Sequence, residues 1–135
     1  MPALVPQRLS FDDEIVRAVG VSHYQDALRR SAGAEGPVSI RRDVEAALVP
    51  EPENPHDPNA VRVEVDGELV GYLARDDALR YGPAVRRLRE HGRLLVSDAV
   101  ISRRGEDSET PNLGLFLSLP SATEADMETR RLVAG

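Results

Sequence analysis

The stretch AVRVEVDGELVGYLA, residues 60–74, decides how this chain is read. Apolar and polar residues alternate from Ala60 to Val65, the period-two pattern of a strand with one buried face. Asp66-Gly67 is a dipeptide whose backbone accepts the two positive φ angles of a type I′ turn, and Glu68 to Ala74 runs back. A hairpin with a two-residue loop is therefore expected. It sets Val63 opposite Val70 and Val61 opposite Tyr72, all on one face. Arg62 falls opposite Gly71 on the other face, where a missing side chain lets a strand curve or a ligand approach.

Upstream of the hairpin lies PEPENPHDPN, residues 50–59. Proline fixes φ and donates no hydrogen bond, so this reads as a stiff loop. Before it, Val38 to Val49 reads as a bent strand and Gly33 to Pro37 as a loop. Gln25 to Arg30 can form one helical turn, and Ile15 to Tyr24, rich in β-branched residues, reads as a strand. Downstream, Asp76 or Asp77 can cap a helix that Gly82-Pro83 interrupts, with Pro83 opening a second helix. Tyr81, Val85 and Leu88 form its apolar stripe and Gly92 closes it. Arg93 to Ser102 is a further strand, Arg103 to Pro111 a polar loop, and Asn112 to Leu119 the last strand. The expected architecture is mainly β with an α insertion: a small six-stranded barrel, SH3-like or OB-like, with one or two short helices. Its domain spans residues 15–120. Residues 1–14 form a loose N-terminal arm, and 121–135 a polar C-terminal tail or a short appended helix.

Composition narrows the function. The chain has 135 residues and no cysteine, which excludes disulfides, thiolate metal sites and a cysteine nucleophile. Every one of its 17 basic residues is arginine. Without lysine there is no P-loop and no Schiff-base chemistry. No apolar run is long enough for a signal peptide or a membrane span, so a soluble cytoplasmic protein is expected. The net charge of −6 argues against a high-affinity coat for nucleic acid. Yet residues 19–104 carry thirteen arginines against fourteen carboxylates, and the ends carry four against nine. The middle can therefore host a local basic patch.

Three motifs stand together: Gly20-Val21-Ser22-His23-Tyr24, then residues 48–63 (LVPEPENPHDPNAVRV), then Val70-Gly71-Tyr72-Leu73. The pattern Asn-Pro-x-Asp-x-Asn-Ala-Val before a strand, with Val-Gly-x-Leu after a hairpin, resembles the HIRAN family from Val19 to about Leu119. The resemblance implies a barrel with two helices that recognises DNA and needs no cofactor. In a eukaryotic member that assists fork remodelling the domain holds a single-stranded 3′ end, and bacterial members stand alone or beside nucleases and helicases. Carried over by motif, Asp57 would accept a hydrogen bond from the terminal 3′-hydroxyl, while Asn54 and Asn59 hold the loop and the backbone. His23, followed by Tyr24, and His56 fall where aromatic rings stack on the terminal bases. Tyr72 lies in the pocket wall, Arg75 approaches phosphate, and Phe116 completes the wall. In two respects this chain departs from that pattern. Both stacking rings are histidine, which offers less area than tyrosine, and Ser22 stands where an arginine would bind phosphate.

Plainer readings stand beside these. Asp57, Asn54 and Asn59 can serve as turn residues, since Asp and Asn beside proline bond nearby backbone amides. His23, in phase with Val19 and Val21 on the expected strand, can be a core residue. His23, His56 and Asp57 could instead meet as a two-histidine, one-carboxylate metal site. Ser22 lacks the second glycine of a nucleophile elbow. The arginines at 86, 87, 89 and 93 are either a solvated helix face or a phosphate-tracking patch. The function expected is a non-enzymatic module that binds single-stranded DNA 3′-hydroxyl ends, in DNA repair or processing. The rival is an adaptor docking on a helicase or nuclease without touching DNA.

Overall fold

The computed structural model describes residues 3–10, 14–32, 41–104 and 112–134. The loop expected at 33–37, the strand start expected at 38–40 and most of the loop expected at 103–111 lie outside them, and β6 takes up residues 103 and 104. Among the described residues there are seven strands: β1 (Val5–Gln7), β2 (Glu14–Val19), β3 (Arg41–Pro50), β4 (Val61–Val65), β5 (Glu68–Leu73), β6 (Arg93–Arg104) and β7 (Asn112–Leu119). The helices are α1 (Gln25–Ala32), α2 (Arg75–Glu90) and α3 (Ala122–Ala134), with a 3₁₀ turn at Val21–Tyr24 leading into α1.

Strands pair in the order β6-β3-β4-β5-β2-β7, and β7 pairs with β6 again, closing a six-stranded antiparallel barrel. Closure works because β6 is long. One edge meets β3 over residues 95–102, while the other meets β7 over 99–104 and leaves room below for β1, which joins in parallel at 93–95. The interior is filled by apolar side chains with no exposed surface, among them Leu48, Val63, Ile101, Leu115 and Leu117. The barrel matches the expected class, with one extra strand and three short helices in place of one or two.

The hairpin has the expected turn, with φ at 54° for Asp66 and 77° for Gly67. Its register differs. Val65 faces Glu68 and Glu64 faces Leu69, but Val63 then faces Gly71 and Arg62 faces Tyr72. Val70 is therefore the extra residue of a β-bulge. A one-residue shift sends every later side chain to the opposite face. Tyr72 leaves the face of Val61, which is fully buried, and stands half-buried beside Arg62 on the outside. Gly71 turns inward, and what approaches it is the protein itself. A Cβ there would lie 3.0 Å from the Val19 carbonyl oxygen and 3.1 Å from Val21 Cγ1. Gly71→Ala is thus expected to cost roughly 1–3 kcal/mol by overpacking, read as a Tm lowered by several degrees.

The strand expected to reach Tyr24 stops at Val19. Gly20 turns left-handed at φ 73°, and residues 21–24 wind into the 3₁₀ turn that buries Val21 over the barrel end. Gln25 pins this turn to β7: its amide nitrogen donates to the Val21 and Leu113 carbonyls, and its oxygen accepts from the Leu113 amide at 2.7 Å.

Gly82-Pro83 does not interrupt α2. Pro83 sits on the exposed face, where the carbonyl that loses its amide partner can turn to water. Meanwhile Ala78, Tyr81, Val85 and Leu88 stay in phase across the proline and keep one buried stripe. Neither Asp76 nor Asp77 caps the helix. The N-cap is Ala74, and the two carboxylates lie in the first turn, where the helix dipole favours them. Tyr81 donates from its buried hydroxyl to the Pro120 carbonyl at 2.7 Å, and burial with Glu14 nearby pushes its pKa up to about 12.

Of the two forms expected for residues 121–135, the structure has the helix. Ser121 caps it: its hydroxyl accepts from the Glu124 amide at 3.2 Å and donates to the Glu124 carboxylate at 3.0 Å, a capping box legible as Ser-x-x-Glu. The arm is tied down as well. β1 joins the sheet, Arg93 donates to the Gln7 side chain, and Arg8 bridges Glu45 and Asp98. The Ser10 amide donates to the buried Glu128 carboxylate of α3. No helix among the described residues is long and apolar enough to cross a membrane.

Candidate nucleic-acid interface

Three chain segments meet at one end of the barrel. The register of β3 with β4, and of β5 with β2, brings the 51–60 loop, the 21–24 turn and the start of α2 to the same rim. Pro50 belongs to β3, where it pairs with Val61, so the loop begins at Glu51.

That loop is held by side chains rather than by proline alone. Asn54 Oδ1 accepts from the His56 amide at 2.9 Å and the Asp57 amide at 3.1 Å. Asp57 Oδ1 accepts from the Asn59 amide at 2.9 Å, and the Glu51 amide donates to the Ala60 carbonyl across the loop mouth. Asn54 is therefore a loop holder, as its plainer reading has it. Asp57 serves as the turn residue of its plainer reading. One oxygen closes an Asx turn, while among the described residues no hydrogen bond or ion pair engages the other. Asn59 contributes its backbone, and its side chain is exposed.

Sequence reasoning missed Glu51, on which the site turns. Its side chain is 12% exposed and accepts from Asn54 Nδ2 at 3.0 Å, the Tyr72 hydroxyl at 3.3 Å and Arg62 at 3.4 Å. Arg62 also lies 2.8 Å from Glu64 through Nε, an electrostatic contact without the angle of a hydrogen bond. Burial, with Glu51 and Tyr24 close by, raises the Tyr72 pKa above the ordinary tyrosine value. The only signal in the sequence is an acid at a strand end between two prolines, and Tyr72 becomes its donor only because the bulge turns that ring to the face of Arg62.

His23 and His56 are both exposed, which removes the core reading of His23. The His23 ring meets Tyr24 edge-on, with centroids 6.3 Å apart. Arg75 is exposed at the first position of α2. Phe116 lies further down the outer wall, opposite Arg17 on β2, rather than on the rim. Among the described residues no three of His, Asp or Glu are grouped as a metal site would need, so the two-histidine arrangement is not formed. Three of the four arginines at 86, 87, 89 and 93 make contacts within the fold. Arg87 donates to Asp126 and Thr129 of α3, Arg86 lies over Gly82, Arg93 reaches Gln7, and Arg89 is exposed.

The sequence profile of the HIRAN domain matches residues 14–119. The chain belongs to the HIRAN family. HIRAN domains are binding modules for nucleic acid, not catalytic ones. Among solved structures, the crystal structure of the HIRAN domain of human HLTF matches at 18% identity, covering 87% of this chain and 85% of that one, with a TM-score of 0.39. No curated protein matches the sequence. The HIRAN match spans the barrel, α1 and α2 and leaves out β1 and α3, the two elements joined through Ser10 and Glu128.

Proposed function

We propose that this HIRAN domain grips the 3′-hydroxyl end of single-stranded DNA, with His23, Tyr24, His56, Asp57, Tyr72 and Arg75 at the end site, Asn54 and Asn59 holding the loop, and Phe116 further along the wall. One observation carries the reading: the Asp57 carboxylate is fixed in a rigid loop by one oxygen and holds the other uncommitted. A carboxylate repels a phosphodiester. It is tolerated only where a strand ends, because there a phosphate is missing and a free hydroxyl donates. The surroundings suit such an end. His23 and His56 present exposed rings for stacking, the Tyr72 ring is held by Glu51, and Arg75 offers a cation at a helix N-terminus.

Stacking contributes roughly 1–3 kcal/mol per base, and few arginines face the rim. Affinity is therefore expected in the micromolar range or weaker, with a shallow salt dependence. The test is fluorescence anisotropy with two oligonucleotides that differ only at the 3′ terminus. The hydroxyl end should bind, and a 3′-phosphate, which sets negative charge against Asp57, should remove the preference. Equal binding would show that the end is not read. The adaptor reading would gain if the pure protein bound no DNA yet retained a nuclease or helicase from nuclease-treated lysate.

A further inference from the structure

The outer face of β2 is bare. Along it Ile15 is 69% exposed and Val19 41% exposed, with exposed Arg17 between them. Cross-strand partners in an antiparallel ladder point to the same face. Tyr72 therefore flanks Val19, Phe116 flanks Arg17 and Ser118 flanks Ile15. Beyond Phe116 the half-buried Val100 of β6 continues the face. The result is a strip that starts at the rim, where Val19 runs into the Gly20–Tyr24 turn, and descends the barrel wall. At about 3.3 Å per residue it is roughly 13 Å long from Val19 to Ile15.

Its chemistry alternates as a nucleic-acid strand does. Tyr72 and Phe116 offer ring faces, Val19 and Ile15 apolar area, Arg17 a guanidinium and Ser118 a hydroxyl. We infer that this strip carries the nucleotides on the 5′ side of the terminal one, with Arg17 meeting the backbone phosphate that follows the end site. The inference rests on the end-binding reading and extends it along the wall. Two features favour a nucleic-acid strand as occupant: the strip is continuous with the rim at Val19–Tyr72, and its one cation sits between two apolar contacts, where a phosphate falls between bases. It also answers how a domain without a basic rim can hold a strand, since the second stretch needs only one phosphate contact and stacking.

The test compares the nucleoside thymidine with a trinucleotide, both with a free 3′-hydroxyl, against the parent protein and Arg17→Glu, with urea midpoints to confirm folding. The parent should bind the trinucleotide several-fold more tightly. Arg17→Glu should lose most of that gain and bind the trinucleotide near the affinity of the nucleoside. A parent indifferent to the added nucleotides overturns the strip and leaves the end site standing. An Arg17→Glu variant that keeps the gain, or that loses the nucleoside equally, overturns it as well. If the parent binds neither, the end-binding reading and the strip fall together.

Discussion

Asp57→Ala is expected to bind single-stranded DNA with a free 3′-hydroxyl roughly ten- to hundredfold more weakly than the parent, the value of one hydrogen bond to a charged group. The same change should make a 3′-phosphate strand bind slightly better, because the opposing charge is gone. The two oligonucleotides would then converge from both sides. Alanine also deprives the Asn59 amide of its acceptor, so part of the loss could come from the loop. Asp57→Asn separates the two effects. An amide oxygen can still close the Asx turn, but the group carries no charge and exerts no repulsion on phosphate. Asparagine should therefore keep the loop and the melting temperature while losing most of the hydroxyl preference. Anisotropy titrations of both variants against both ends decide the matter. If asparagine discriminates as well as aspartate, the end is read by something other than the carboxylate.

Glu51→Ala should show the largest loss of stability among single changes near the site. It strips the acceptor from Asn54, Tyr72 and Arg62 at once and leaves a partly buried guanidinium with Glu64 alone. Losing a buried ionic partner costs about 2–3 kcal/mol when the remaining charge keeps one neighbour and some water. For a chain of this size that is a Tm lower by roughly 10 °C. Glu51→Gln keeps the shape and an acceptor oxygen, so it should lose less stability. Thermal melts measure both. Melts that match the parent would mean that the network is ornamental and that the loop is held by Asn54 and its prolines.

Much of the fold was legible in the residues because it is set by local chemistry. Asp66-Gly67 made the turn it was expected to make, the prolines at 52, 55 and 58 made a loop, and the stripe of Tyr81, Val85 and Leu88 made a helix. Ser121-x-x-Glu124 was equally legible as a helix start and went unread. The site was legible in part, by resemblance. The motif residues do gather on one rim, but Phe116 stands apart, and nothing in the sequence singles out Glu51.

Local sequence set most of the strands, the Asp66-Gly67 turn and the stiff loop, since each depends on residues a few positions apart, but not β1 or the end of β2. Which face each side chain of β5 takes, and what covers it, came from long-range packing. Closing six strands into a barrel shifts β5 by one residue at Val70 and so turns Tyr72 outward to Arg62 and Glu51. It ends β2 at Val19 because Val21 has a place over the barrel end beside Gly71. It carries α2 through Pro83 because the buried stripe lies on the opposite side. It also gives the arm and α3 each other as partners. A period-two pattern specifies that one face is buried but not which neighbour it is buried against. That choice is made by contacts between residues far apart in the chain, and the rim is built from those contacts.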